Sequence, residues 1–174
     1  MPVETLLSTP WIVIALVLSL VGLVAMFIPR MPACIIAYLS MVAAYLSHYM
    51  YFTKATLIFW GIAVVLVSVN RMLLPSFIRN SRVGLGYSAG GAVVGMALGL
   101  IMYRPATVVG GAILGTLFGA IAFSRTRKGA IMQFPTIKFF NYLGAKGIPA
   151  VMAVAMVGYV ISGLIVYFIG TGSY

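Results

Sequence analysis

Carboxylate chemistry is almost missing from this chain: Glu4 is the only acidic side chain among 174 residues. Paired carboxylates for acid–base work, a Ser/His/Asp arrangement and oxygen-rich Mg or Ca sites all need groups that the sequence does not supply. Hydrolase and phosphotransferase chemistry is therefore not expected. The chain reads as non-enzymatic, with no cofactor and no metal site. Ion-driven transport usually runs on intramembrane Asp, Glu or His relays, and none is available here. The glycines lie in apolar stretches without the Lys-Ser/Thr tail of a nucleotide loop. Cys34 is the only cysteine. It has no internal disulfide partner and no neighbour at ligand spacing, so it reads as a small packing residue. His48, beside Ser47 and without an acidic partner, reads as an interfacial bystander more readily than as a pH sensor.

Two further groups of side chains have useful spacing. Tyr38, Tyr45 and Tyr49 share one helical face with Met41, either as the wall of a solute or lipid pathway or as a helix interface. Arg79 and Arg82, three apart, are placed to clamp a phosphate, or serve as ordinary topogenic charge. Arg125, Arg127, Lys128, Lys138 and Lys146 occupy the longest break between apolar stretches, together with Ile137, Phe139, Phe140, Tyr142 and Leu143. That pattern suits an interfacial segment with aromatics at the acyl boundary and cations on anionic headgroups, or a dock for a partner protein. Each such cation is worth about 1 kcal/mol near an anionic surface. The net charge of +10 is spread as punctuation between hydrophobic stretches. It does not form the basic patch of a nucleic-acid binder.

The elements that hold these residues are apolar helices. With 63% apolar and 7% charged residues, the composition is that of an integral membrane protein, since soluble domains are roughly a quarter charged. Stretches of about 20 apolar residues, the length that crosses a bilayer, fall at about 11–29, 33–51, 55–74, 84–103, 106–123 and 149–170. They predict an all-α polytopic protein of about six transmembrane helices in one domain, 1–174, with a basic cytoplasmic loop at 124–148. Thr9-Pro10-Trp11 reads as the start of the first helix, and Pro29-Arg30-Met31-Pro32 as a tight turn to the second. The only charge ahead of the first span is Glu4, so a cleaved signal peptide is not expected. Arg30, Arg71, Arg79, Arg82 and the five cations of 125–146 fall on one side, and Lys54 and Arg104 on the other. Basic residues favour the cytoplasm, which predicts N-out/C-out. In span three, Asn70 is a candidate staple between helices.

Within 84–123 two glycine ladders of equal pitch, Gly91-Gly95-Gly99 and Gly111-Gly115-Gly119, flank Arg104-Pro105. Glycines four apart share a helix face and let two backbones approach closely in lipid. A glycine-zipper hairpin is predicted, fully spanning or re-entrant. Gly84, Gly86, Gly90 and Gly110 are expected to extend its small-residue surface. A glycine-lined pore is the alternative, though no polar ring accompanies the glycines.

The order of these features resembles the bacterial membrane family known as domain of unknown function 456, over roughly residues 16–124. Val21-Gly22-Leu23 followed by Pro29-Arg30-Met31-Pro32 is similar to that family's early glycine and proline-bracketed turn. Leu74-Pro75 leading to Arg79 and Arg82 resembles its basic link, and Gly91 to Gly119 around Pro105 its glycine hairpin. Ser68–Asn70 departs from the acidic position expected there, and 125 onward has no counterpart. The resemblance implies a fold and a bacterial inner-membrane location, and no activity. An assembly, scaffold or accessory subunit of a larger membrane complex is the expected role; the alternative is a small passive permease, channel or lipid-handling protein. Expected partners are membrane lipids and another membrane protein or a second copy, with no nucleic acid.

Overall fold

A computed structural model of the chain describes residues 3–28, 31–47, 53–73, 83–102, 104–129 and 134–171, with side chains except at 3–9, 105 and 168–171. The described residues are helical throughout, without strands. The elements are α1 (Val3–Ala25), α2 (Ala33–Leu46), α3 (Lys54–Leu73), α4 (Leu85–Leu100), α5 (Pro105–Ser124), α6 (Ile137–Tyr142), a π-turn (Leu143–Gly147) and α7 (Ile148–Thr171). Three helical stretches are long and apolar enough to cross a membrane: Lys54–Leu73, Ala106–Ser124 and Ile137–Tyr167. Pro10–Ala25, Ala33–Leu46 and Leu85–Leu100 are shorter apolar helices. The chain is a helical membrane protein.

Several boundaries move from those expected. Helix α1 starts at Val3 and carries Pro10 inside it, so Pro10 is not the first helical residue. The proline removes one backbone bond, a loss that an apolar helix tolerates when neighbours pack around it. Helix α2 ends at Leu46. The largest change lies in 124–148, expected as a loop: Ile137 to Gly147 is helical and runs without a break into α7. Thr136 caps this helix by accepting a hydrogen bond from the Phe139 amide at 3.2 Å, as an N-cap threonine does. Pro149 lacks an N–H and would crowd the turn before it in an unbroken α-helix. The π-turn sits at that turn and supplies the slack.

Helices α4 and α5 form an antiparallel pair with their backbones in contact. A Cβ added at Gly95 would lie 2.6 Å from the Gly111 carbonyl carbon and 3.1 Å from Gly115 Cα. One added at Gly115 would lie 2.9 Å from the Gly91 carbonyl carbon and 3.0 Å from Gly95 Cα. A Cβ added at Gly91, Gly111 or Gly119 would meet the opposite backbone in the same way, and one added at Gly99 would lie 2.7 Å from Val108 Cα. The Thr107 hydroxyl donates to the Gly99 carbonyl at 2.9 Å and ties the turn end of the pair. Gly86, Gly90 and Gly110 do not extend this surface. Nothing described lies within 4 Å of a Cβ at any of the three.

Small residues set the spacing elsewhere too. Gly22 of α1 faces Ala37 of α2, whose Cα would lie 3.5 Å from a Cβ added at the glycine. Helix α7 runs through the middle, with Ala153, Val154, Ala155, Met156, Val157 and Val160 all fully buried. Gly158 lets it lie on Val108 and Met96 of the α4–α5 pair. Helix α3 is peripheral: Trp60 and Val64 are its buried residues, while Ile58, Phe59, Ile62, Leu66 and Met72 are exposed.

The glycine contacts yield a graded prediction. Gly95→Leu or Gly115→Leu must separate two backbones and should cost about 3 kcal/mol or more, the upper end of overpacking penalties. Gly90→Ala and Gly110→Ala point into open space and should stay within about 1 kcal/mol of wild type, on the stabilising side through helix propensity. Thermal unfolding in a mild detergent reads both, and equal melting of Gly95→Leu and wild type would refute the packing role.

Candidate functional site

Polar side chains converge at one end of the bundle, where helices begin and end and their backbone groups lack partners within the helix. The approach to α4 is the clearest case. Gly84 caps α4 with φ +76°, a left-handed conformation. A Cβ there would also collide with Phe123 and Tyr142, both 2.7 Å away. Only glycine suits that position. The Tyr142 hydroxyl donates to the Gly84 carbonyl at 2.6 Å and lies 2.6 Å from Ser88 Oγ. A phenol has one proton, so Ser88 is the donor in the second bond. Phe123 stacks on Tyr142 with centroids 5.3 Å apart, and Tyr87 packs on Phe123 at 5.5 Å. Helix α6 is thereby locked onto the start of α4 and the end of α5.

Lys146 continues this cluster. It is 4% exposed, its ammonium donates to the Val83 carbonyl and lies 5.6 Å from the Tyr142 ring centroid. Close by, Cys34 Sγ donates to the Pro149 carbonyl at 3.2 Å and joins the start of α2 to the start of α7. Arg71, in the last turn of α3, donates from Nη1 to the Met31 carbonyl at 3.4 Å. Cys34, Arg71 and Lys146 line one cleft with Met31, Leu85 and Pro149. The ends of α1 and α3 and the starts of α2, α4 and α7 therefore lie together.

The other singled-out residues fall as follows. Arg125, Arg127, Lys128 and Lys138 are exposed, and Arg104 is exposed at the opposite end of the α4–α5 pair. Lys146 departs from this set: it was expected to meet headgroups from a loop, yet its helix turns it inward. Phe139 and Tyr142 are buried for the same reason, while Phe140 and Ile137 are exposed. Tyr38 and Tyr45 are half-buried. The Tyr38 hydroxyl donates to the Leu57 carbonyl at 3.3 Å and lies 3.0 Å from a Cβ built on Gly61, which places it in the α2–α3 contact. Asn70 is exposed. Arg79, Arg82, His48 and Tyr49 lie outside the described residues.

Sequence reasoning missed the Gly84–Ser88–Tyr142 cluster and the cleft that Arg71 and Lys146 both line. Thr136, a helix-capping residue with phenylalanine three positions on, was the available signal for α6. With that helix extended into α7, a three- and four-residue periodicity places Phe139, Tyr142 and Lys146 on one face. The joint position of Arg71 had no sequence signal. No family model, curated protein or solved structure matches the chain.

The chemistry of this end is cationic and hydrogen-bonding, with donors outnumbering charged acceptors. Its buried hydroxyl cluster is testable. Tyr142→Phe keeps the ring stack but leaves the Gly84 carbonyl and Ser88 without their partner, which should cost about 1–3 kcal/mol. Ser88→Ala leaves the bond to Gly84 in place and should cost less. Unfolding in detergent at matched protein-to-detergent ratio orders the two, and an unperturbed Tyr142→Phe would show that the cluster does not hold α6.

Proposed function

We propose that this is a six-pass bacterial inner-membrane protein, N-out/C-out, that acts without catalysis as an assembly, scaffold or accessory subunit of a larger membrane complex. The observation that carries the reading is α3. It is long enough to cross the bilayer, yet 11% of its apolar window is buried by its own chain, against 56% for Ile137–Tyr167. A helix held by few of its own residues presents a face that a neighbouring membrane helix can take. The near absence of carboxylates argues for a role in contact rather than conversion. The six-pass reading draws support from helix directions, because the meeting of Met31 with Arg71, Cys34 with Pro149 and Val83 with Lys146 fits successive helices running in alternate senses. The glycine-zipper hairpin and the likeness to the domain of unknown function 456 family support the same assignment.

A second reading, a small lipid-handling protein, has one observation in its favour. An apolar groove of about 170 Å³ between α5 and the π-turn with α7 is lined by Ile113, Thr116, Leu117, Leu143, Val151 and Met152 among others. It is wide enough for part of an acyl chain. The passive-permease version is weaker, since Tyr38 is engaged between helices.

Photocrosslinkers placed at Phe59, Ile62 and Leu66 on α3 should capture one stoichiometric membrane-protein partner in cells. Capture of lipid alone would shift the assignment to lipid handling, tested by scrambling in liposomes. Reporters fused to both termini should lie outside the cytoplasm, and replacing Arg125, Arg127 and Lys128 by Gln should mix the orientations; one fixed orientation in that variant would show that other signals dominate.

A further inference from the structure

The groove between α5 and the π-turn with α7 lies just below the most basic part of the bundle surface. We propose that it holds an acyl chain of an anionic phospholipid whose headgroup rests on the exposed cations after α5 and at the start of α6. The lining is the first argument. Ile113, Leu117, Leu143, Val151 and Met152 are apolar, and the polar member, Thr116, keeps its hydroxyl on the Ala112 carbonyl at 2.8 Å. Thr116 faces Gly147, where an added Cβ would lie 3.3 Å from the threonine Cγ2, so the two walls meet closely at the floor. Within a bilayer a groove of about 170 Å³ lined this way fills with hydrocarbon. A void would forfeit dispersion contacts, and water would find no polar partners there.

Charge complementarity selects the headgroup. At helical rise Leu117 lies about 10 Å before the end of α5 and Leu143 about 8 Å after Lys138, so the near end of the groove opens toward both basic groups. Phe123 holds these groups together. The Thr126 hydroxyl donates to its carbonyl at 2.7 Å, at the turn that carries Arg125, Arg127 and Lys128, and Tyr142 of α6 stacks on its ring. Arg125, Arg127, Lys128 and Lys138 are exposed there. Exposed cations belong at headgroup depth, which sets the groove in the hydrocarbon beneath them. Ile137 and Phe140, exposed beside Lys138, cover the step between with apolar surface suited to the acyl boundary. A zwitterionic headgroup brings its own cation to a rim that already carries four, whereas an anionic one brings net negative charge. An acidic protein surface would suit the cations alone; the apolar groove below them is what selects a lipid.

The lining residues lie on α5, the π-turn and α7, so a resident lipid here stands apart from the accessory-subunit reading, which turns on α3. Its retention is read on the purified full chain, without a partner or a transport assay. The protein in neutral detergent micelles, where insertion orientation drops out, is given equal amounts of phosphatidylglycerol and phosphatidylcholine, and native mass spectrometry counts what stays bound. A single phosphatidylglycerol should be retained, preferred about tenfold or more, since each cation near a headgroup is worth roughly a fivefold change. Changing Arg125, Arg127, Lys128 and Lys138 to Gln should bring the two lipids to near parity, and changing Lys54 and Arg104 to Gln, at the other end of the bundle, should leave the preference intact. Val151→Phe narrows the groove and should lose both lipids. Equal retention of both lipids by the wild type, or an unchanged preference in the four-site variant, overturns the proposal. Should a variant fail to fold, the wild-type protein decides. A phosphatidylglycerol with a photoreactive group in its acyl chain should label Ile113, Leu117, Leu143 or Met152, and labelling confined to the outer face of α3 overturns the assignment. A photoreactive side chain in place of Ile113 should capture lipid in cells; capture of a protein there, without lipid, overturns it equally.

Discussion

Backbone-to-backbone contact between α4 and α5 is the constraint on which the rest of the packing depends. In lipid, helices gain nothing from hiding apolar side chains that the surroundings already solvate, so association rests on close van der Waals contact. Side chains keep most helix pairs 8–10 Å apart. Gly91, Gly95, Gly99, Gly111, Gly115 and Gly119 remove that spacer on both partners at once. The price is conformational, because each glycine weakens its own helix by about 1 kcal/mol relative to alanine. The contact must return that loss, which it does by matching two ladders of the same pitch. A fixed pair then offers α7 a surface of known shape, and Gly158 fits α7 to Val108 and Met96 on it.

From that arrangement the position of the polar end follows. Helix α7 is held along the bundle by fully buried alanine and valine, and its extension through the π-turn carries α6 under the start of α4. Tyr142 can therefore reach the Gly84 carbonyl, and Lys146 the Val83 carbonyl. These are carbonyls at the approach to a helix, where the regular ladder has not yet begun. The irregular backbone of the π-turn and the left-handed Gly84 face one another across the cluster. Each departure from regular helix is met by a side-chain hydrogen bond or a ring contact.

Much of this was legible in the chain, in proportion to how local the physics is. The apolar helices, the turn at Pro105 and the facing of the glycine ladders depend on residues close in sequence, and the spacing of Gly91 to Gly119 contains them. The helix at Ile137–Gly147 was hidden by its own composition. Gly144, Gly147 and Pro149 weaken a regular α-helix; the π-turn absorbs the proline and keeps the rod continuous. Lys146 was misplaced in consequence, because a lysine in a loop faces water while one on this helix faces the bundle. The start of α1 was misread for a related reason, since Pro10 suits a first helical turn and is tolerated inside an apolar helix as well. Cys34 was identified as a packing residue, but its bond to Pro149 O depends on the pairing of α2 with α7, which no local pattern encodes.

Helix lengths bear on how deep the cationic end sits. The run Ile137–Tyr167 has 31 residues, about 46 Å at helical rise, against a hydrocarbon core of roughly 30 Å. About ten residues of that rod must then lie beyond the core unless it tilts strongly. Its lower part carries Lys138, exposed, and Lys146, and its upper part from Ile148 carries no charge at all. The energetically favourable placement keeps Ile148–Tyr167 in the core and leaves Ile137–Gly147 at headgroup depth. Arg71 in the last turn of α3 lies beside this level through its bond to Met31, and α2 and α4, at 14 and 16 residues, span only about 21 and 24 Å. Their starts are thus free to sit at the edge of the hydrocarbon, where water and lipid phosphates reach. The arrangement keeps every described cation of this end at a depth where charge is tolerated, while the glycine contact lies in the apolar layer that makes it necessary.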